Sequence, residues 1–338
     1  MSSGDSTSSR NAQPPSYARL PNNLALLDVR DLSVEYLTAR GPVQAVNGVS
    51  FQVRQGEVFG LAGESGSGKS TIAHAILRIL HPPALITGGA VRFGDRDVLA
   101  MSEGELEEFR WKSISIVFQS AMNALNPVMH IRDQISDVLL THGFPRSEVQ
   151  ERARALFDLV GIDPRRLDSY PHQLSGGMRQ RAVIAIALSL SPPLMIMDEP
   201  TTALDVVVQK DILQQIANLK EKLGFSILFI THDLSLLVEF SNYLAIMYAG
   251  HILEKAPAHE LFERPLNPYT VGLMNSFPSI SGEKRRLTGI AGAPPDLVAP
   301  PKGCPFHPRC PRAMAICSEV MPAIQQVSPG HEVACHLY

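Results

Sequence analysis

The sequence predicts an α/β fold with a parallel sheet at its centre, and three stretches carry that expectation. Glu57-Val58-Phe59-Gly60-Leu61-Ala62 is a short apolar run that leads through a glycine-rich turn into the helix-forming segment Thr71–Leu80. Leu194-Met195-Ile196-Met197 is fully apolar and ends in Asp198-Glu199; Phe225 to Ile230 is apolar and ends in Thr231-His232-Asp233. Short uninterrupted apolar runs suit strands buried on both faces. Polar residues at their C-terminal ends stand where open α/β sheets bind ligands.

The glycine-rich turn is Gly63-Glu64-Ser65-Gly66-Ser67-Gly68-Lys69-Ser70-Thr71. It matches G-x-x-x-x-G-K-[ST] between a strand and a helix, the context a phosphate-binding loop requires. Glycines let backbone N–H groups wrap an anion, and the helix start adds its positive dipole end. Lys69 would reach the outer phosphates of a nucleotide, and the Ser70 hydroxyl would ligate Mg²⁺.

Composition narrows the class. With 338 residues, 45% of them hydrophobic, the chain suits about two globular domains. The net charge of −3 offers no basic surplus for nucleic acid as the main partner. No run of about 18 apolar residues is present to span a bilayer, so a membrane role would come through a partner. The Ser-rich start lacks the apolar core of a signal peptide, and residues 1–23 read as a disordered tail.

In chain order, Leu27-Asp28-Val29, Leu32–Tyr36 and Val49–Val53 alternate apolar and polar, so antiparallel strands should precede the phosphate loop. Tyr36, where a strand ends, could stack on an adenine ring or simply pack at the strand edge. Gly88 to Leu99 reads as a strand with a turn at Gly94-Asp95, and Ile114–Phe118 as another, followed directly by Gln119. A helical block follows, about 120–172. In it Ser147-Glu148-Val149-Gln150 matches a capping box, and Ala153, Leu156, Phe157 and Val160 share a face. The block interrupts the strand–helix alternation and reads as an inserted helical subdomain.

Leu174-Ser175-Gly176-Gly177 opens a second helix, through Leu190, with Ser175 as its cap and two glycines that permit close approach of a phosphate. Asp198 suits a partner of Mg²⁺ and its waters, and Glu199 a general base for attacking water. Ala203-Leu204-Asp205 precedes a helix from Val206 to Leu223, and His232 at a strand end can hydrogen-bond a γ-phosphate. Tyr243–Met247 and Gly250–Glu254 read as closing strands, and Pro257–Glu263 and Pro268–Met274 as short helices.

From about 281 the composition shifts. Residues 281–338 hold nine of the 26 prolines and all four cysteines, so this reads as a small irregular module. Cys304, Cys310, Cys317 and Cys335 have the spacing C-x5-C-x6-C-x17-C. Clustered thiols without a secretion signal point to a metal site in a reducing compartment: zinc, an iron–sulfur cluster, or reduced structural cysteines with no metal. His307, His331 and His336 are near enough in sequence to be alternative ligands and read as surface or packing residues.

Taken together, the phosphate loop, Gln119, Leu174-Ser175-Gly176-Gly177, Asp198-Glu199-Pro200, Ala203-Leu204-Asp205 and His232 resemble an ABC ATPase domain over residues 25–255. That resemblance implies a P-loop NTPase of ABC type, organised as a cassette at 24–257 and an extension at 258–338. It implies ATP and Mg²⁺ as cofactors, Glu199, His232 and Gln119 as catalytic residues, and Ser70 and Gln119 at Mg²⁺. Ser175, Gly176 and Gly177 would grip the nucleotide of an opposite subunit, Asp205 would lie in a loop crossing the dimer interface, and Tyr36 would stack on adenine. Met178-Arg179-Gln180-Arg181, Ala124-Leu125-Asn126-Pro127, Asn267-Pro268-Tyr269-Thr270 and the run Gly303–Pro311 resemble more narrowly the D-type ATPase subunit of oligopeptide/dipeptide importers. Asn267 replaces the histidine usual in that subfamily. The narrower resemblance implies a peptide importer worked from the cytoplasmic face of the inner membrane. Its partners would be a sister ATPase subunit, two transmembrane permease subunits and an extracytoplasmic solute-binding protein. It also implies a structural [4Fe–4S] cluster on the four cysteines. Sugar or nickel as cargo, and a soluble ABC ATPase acting on nucleic acid or ribosomes, are the alternative readings.

Overall fold

A computed structural model describes residues 25–119, 124–201, 205–276 and 289–338. The tail expected over 1–23 and the pair Ala203-Leu204 lie outside the described residues.

The described chain opens with two long antiparallel strands, β1 (Ala25–Thr38) and β2 (Gly41–Arg54), then β3 (Val58–Ala62), the phosphate loop and α1 (Lys69–Ile76). Next come β4 (Ala84–Phe93), β5 (Arg96–Asp97), α2 (Glu103–Lys112) and β6 (Ile114–Val117). The expected helical block holds α3 (Ile131–Thr141) and α4 (Arg146–Leu159); α5 (Gly176–Ala187) follows it. The remaining cassette elements are β7 (Leu194–Asp198), α6 (Val206–Leu223), β8 (Ser226–Ile230), α7 (Leu234–Phe240), β9 (Tyr243–Tyr248) and β10 (His251–Pro257). After them come α8 (Ala258–Glu263), α9 (Pro268–Met274), β11 (Ile324–Ser328) and β12 (His331–Ala334).

These strands form two sheets. One is antiparallel, in the order β2-β1-β4-β5; the other has eight strands in the order β11-β12-β10-β9-β3-β8-β7-β6, parallel from β9 through β6. The period of two along each central strand decides which core each residue enters. Phe59 and Leu61 of β3, with Leu194 and Ile196 of β7, join the face that covers α1 and the antiparallel sheet. Val58 and Ala62, with Met195 and Met197, join the opposite face, where α3, α4, α5 and α6 pack. All five residues of β3, β7 and β8 are buried, as their unbroken apolar character requires.

Two expectations change. Ser147-Glu148-Val149-Gln150 is not a capping box: α4 begins one residue earlier at Arg146, with Pro145 as N-cap and no side-chain cap bond. Proline fixes its own φ and so sets the helix start ahead of the serine. The same pattern does work at Ser102-Glu103-Gly104-Glu105, where Ser102 and Glu105 bond each other's backbone N–H at the start of α2. Second, the C-terminal region is not wholly irregular. Its hairpin β11–β12, turned by Pro329-Gly330, pairs with β10 and continues the principal sheet, occupying an edge that β10 would otherwise expose.

Candidate functional site

The phosphate loop takes its shape from positions where no side chain fits. Gly63 has φ +148°, and a Cβ there would lie 2.2 Å from the Met247 carbonyl oxygen. Gly68 has φ +102°, and a Cβ there would lie 2.2 Å from the Ala45 carbonyl oxygen. Both are conformations that glycine alone adopts cheaply. Gly68 is the N-cap of α1 and supplies no side-chain cap, so the first-turn N–H groups of the helix are open to an anion. Ser65 and Gly66 are exposed at the loop's crest, while Ser67 is buried.

Lys69 folds back into this loop. Its Nζ donates to the carbonyls of Gly63 at 2.8 Å and Glu64 at 2.9 Å, and to Ser67 Oγ at 3.3 Å. Burial pushes its pKa below the ordinary lysine value, opposed by the carboxylates of Glu199, Asp198 and Glu64. Beside it, Ser70 Oγ donates to Asp198 Oδ1 at 3.1 Å. Asp198 is 2% exposed at the end of β7, and burial raises its carboxyl above the usual range against the Ser70 bond. A hydroxyl and a carboxylate oxygen this close form a hard oxygen pair suited to Mg²⁺ and its waters.

Three strand ends then converge on Glu199. Its Oε2 accepts from Gln119 Nε2 at 2.8 Å, two residues beyond β6, and its Oε1 lies 3.1 Å from His232 Nδ1, beyond β8. Its own N–H donates to the Ile230 carbonyl at 2.8 Å. Glu199 has φ +47°, a strained conformation for a residue with a side chain. Such strain persists where surrounding structure enforces it, and it clusters at functional sites. Glu199 is only 15% exposed in its side chain, whereas His232 is 60% exposed.

The second glycine-bearing helix start lies elsewhere on the surface. Ser175 caps α5, its Oγ accepting from Met178 N–H at 3.3 Å, and it is exposed. Gly176 and Gly177 are half-buried; a Cβ on Gly177 would come within 3.1 Å of Val208 on α6. Asp205 caps α6 through Val207 and Val208 N–H and is exposed beside the exposed Val206 and Val207. Tyr36 is half-buried on β1, with its hydroxyl 3.3 Å from Thr71 Oγ1 on α1.

The four cysteines carry no disulfide. They line one cavity of about 20 Å³, with Asn267, Phe306 and His336 also in its wall. Burial pushes the Cys304 thiol up to about 11 and raises Cys310 and Cys335 as well. Among the described residues, no three Cys, His, Asp or Glu side chains are grouped as they would be around a metal ion. His307 and His336 bond backbone carbonyls, of Cys304 and Val320. His331 is 1% exposed and sits between two carboxylates, Glu254 at 2.7 Å and Glu260 at 3.0 Å.

The sequence reading passed over three residues at the phosphate loop. Arg309 forms a two-pronged ion pair with Glu64, the Glu64 N–H donates to Tyr269 Oη at 3.0 Å, and Tyr248 lies beneath the Arg309 guanidinium. Their only signal was local: Tyr269 in Asn267-Pro268-Tyr269, and Arg309 next to Cys310. Asn267 is buried and structural. It caps α9 through Tyr269 N–H, and its Nδ2 donates to the Ala334 carbonyl.

Comparison with known proteins agrees with this architecture. Residues 46–202 match the family model for ABC transporters, and residues 253–317 match that for the oligopeptide/dipeptide transporter C-terminal region. The chain is 46% identical to a probable peptide ABC transporter ATP-binding protein of Sinorhizobium fredii, with 92% of this chain and 94% of that relative aligned. It is 43% identical to the oligopeptide transport ATP-binding protein OppD of Escherichia coli, over 92% of this chain and 93% of that one. Among solved structures, the dimeric ATP-binding cassette MJ0796 bound to ADP and Pi superposes with a TM-score of 0.61 at 26% identity. That match covers 69% of this chain and 99% of the cassette. The chain therefore belongs to the ABC transporter ATP-binding proteins, in the branch that carries the oligopeptide/dipeptide transporter C-terminal region.

Proposed function

We propose that this chain is the ATP-hydrolysing subunit of a membrane importer for di- or oligopeptides. The observation that carries the reading is the meeting of Lys69, Ser70, Asp198, Glu199, Gln119 and His232 from one loop and three strand ends. Phosphoryl transfer to water asks mostly for positioning and charge stabilisation, and this set supplies both. The loop N–H groups and Lys69 would hold the β- and γ-phosphates, with Tyr36 against the adenine. Ser70, Gln119 through its amide oxygen, and Asp198 through water would hold Mg²⁺, which offsets phosphate charge when bound.

Glu199 would orient a water and take its proton as the oxygen attacks the γ-phosphorus. The bond from that phosphorus to the bridging oxygen breaks, releasing ADP and phosphate. His232, bonded to Glu199 through Nδ1, would present its other nitrogen to the γ-phosphate. The corner Ser175-Gly176-Gly177, exposed at the serine and half-buried at the glycines, with the exposed Asp205, supports a head-to-tail pairing with a second ATPase subunit, a sister chain on the family pattern. ATP-driven closure would then pass through the helical subdomain of α3 and α4 to two permease subunits. Among the described residues no helix is long and apolar enough to cross a membrane, so membrane attachment would come through those partners. A solute-binding protein would deliver cargo on the far side.

Cys304, Cys310, Cys317 and Cys335, which are not grouped among the described residues as around a metal ion, would have to draw together to hold a metal centre, either [4Fe–4S] or zinc. Support comes from their shared cavity and the chemistry of four thiol donors. Such a centre would pin the C-terminal turns rather than act on ATP. Anaerobic purification followed by metal analysis separates the cluster, zinc and metal-free outcomes.

The central test is Glu199→Gln. Turnover should fall by about 10² to 10⁴, the contribution of a positioned general base. ATP binding should persist and a closed dimer should accumulate on size exclusion. Near-normal steady-state hydrolysis would overturn Glu199 as the base.

A further inference from the structure

The extension beyond β10 reaches the phosphate loop through two buried side chains, Tyr269 and Arg309. Arg309, 6% exposed, donates from Nη1 to Glu64 Oε2 at 2.7 Å and from Nη2 to Glu64 Oε1 at 3.0 Å. Its other three N–H groups are also matched: Nη1 to Tyr248 Oη at 3.2 Å, Nη2 to the Ile290 carbonyl at 3.3 Å, and Nε to the Ala291 carbonyl at 2.9 Å. A guanidinium has five donors in one rigid plane. With every donor paired, displacement would strand buried polar groups, so the side chain is fixed in place.

Glu64 is held at every point where it can be gripped. Its carboxylate belongs to Arg309, its N–H donates to Tyr269 Oη, and its carbonyl accepts from Lys69 Nζ. Tyr269 is fully buried and packs at a tilt against Tyr248 at 4.6 Å and Phe306 at 5.2 Å between ring centres. Phe306 and Arg309 lie on the same turn between Cys304 and Cys310, closed by bonds from His307 N–H to the Cys304 carbonyl and from Arg309 N–H to the Phe306 carbonyl. Ordering a glycine-rich loop carries a large entropic cost. Fixing Glu64 in advance removes part of that cost from nucleotide binding.

We propose that Arg309 is a positioning residue for the nucleotide site. Through its two-pronged bond to Glu64 it holds the phosphate loop in its anion-receptive shape, so that ATP affinity is set in part by the cysteine-bearing C-terminal segment. The proposal rests on the reading of this loop as an ATP site.

The test uses the full chain as wild type, Arg309→Gln, Arg309→Lys, Glu64→Gln and the double variant Glu64→Gln/Arg309→Gln. Each is measured for equilibrium binding of a methylanthraniloyl-labelled ATP, steady-state hydrolysis and thermal unfolding. A loop competent only part of the time weakens apparent affinity by that fraction, so each glutamine variant should raise Kd and KM about tenfold. For Arg309→Gln the rate at saturating ATP should stay within about twofold, and the double variant should bind about as weakly as either single one, since both remove one pair. Arg309→Lys should recover part of the affinity. A purely structural role would instead lower the unfolding midpoint and the active fraction, reducing kcat while leaving Kd and KM alone. That pattern, or two independent additive losses, would overturn the proposal. If Arg309→Gln does not fold, Arg309→Lys, which keeps the charge but loses the two-pronged geometry, decides: a raised Kd with an unchanged unfolding midpoint supports the proposal, and an unchanged Kd overturns it. A wild-type chain that binds no nucleotide would overturn the ATP reading and this inference with it. Unaltered affinity in the variants of a chain that does bind would overturn this inference only.

Discussion

Helices α1 and α5 both begin at small residues, yet they are finished differently. At α1, Gly68 offers no cap, Lys69 lies folded beneath the loop, and Asp198 and Ser70 stand alongside; the C-terminal segment braces the loop through Glu64. At α5, Ser175 satisfies one of its own helix N–H groups and stands exposed. The first start is equipped with a cation, acidic partners and a brace from its own chain. The second is a prepared surface whose complement would come from another molecule. The contrast teaches that two helix starts of similar sequence can differ in what surrounds them: α1 has a cation, carboxylates and a brace at hand, and α5 has only its own serine cap.

The largest effect that could break this contrast is at the cation. Lys69→Ala should weaken ATP binding roughly a hundredfold or more, given about 1.5–3 kcal/mol for each charge-assisted hydrogen bond, as read by equilibrium titration. Unchanged affinity would make α1 no different from α5. Gly68→Ala comes next. Its Cβ would meet the Ala45 carbonyl at 2.2 Å in a left-handed conformation, a strain of about 1–3 kcal/mol, so affinity should drop roughly tenfold while the fold survives.

Ser175→Ala sharpens the other side. Loss of a cap costs about 1 kcal/mol, a shift of a few degrees in the unfolding midpoint. Hydrolysis should fall several-fold, while ATP affinity of the isolated chain stays within about twofold. Equal losses of affinity at Ser175 and Lys69 would erase the proposed division of labour.

The smallest effect concerns the extension that braces α1. Burial opposes protonation of His331, but Glu254 and Glu260 outweigh it and raise its pKa above the ordinary value. A raised folded-state pKa gives stabilisation that is complete below the unfolded value of about 6.5 and fades as pH rises through the folded one. Thermal midpoints should therefore decline by a few degrees from about pH 6.5 upward, and the decline should be absent in His331→Gln. A flat profile in the wild type would show that the histidine's pKa is the same folded and unfolded, and midpoints rising with pH would show it held neutral in the fold.

The legible parts of the molecule were those whose chemistry lies on contiguous residues. The phosphate loop, Asp198-Glu199 and Thr231-His232 each read from a few neighbouring letters, because a buried strand delivers polar residues to its end in a fixed order. The brace was not legible: Glu64 and Arg309 are 245 positions apart, and nothing in either local sequence names the other. The two Ser-x-x-Glu/Gln patterns mark a different limit. Ser102 caps its helix and Ser147 does not, because Pro145 had already set the start of α4. The hairpin β11–β12 was hidden by brevity. Five and four residues carry too little alternation to stand out among prolines, and their place depends on an edge supplied by β10.

That shared edge also governs how the protein can be shortened. Ending the chain after Pro257 would strip β10 of its neighbour and leave Glu254, 0% exposed, without the backbone N–H donors of Leu266 and Asn267 or the His331 imidazole that now satisfy it. The unpaired buried carboxylate would destabilise the fold, and the open strand edge would invite pairing with another chain. For expression work the ATPase cassette and the hairpin β11–β12 are a single unit, and the Tyr338 hydroxyl, which donates to the Leu266 carbonyl, is a further tie at the chain's end.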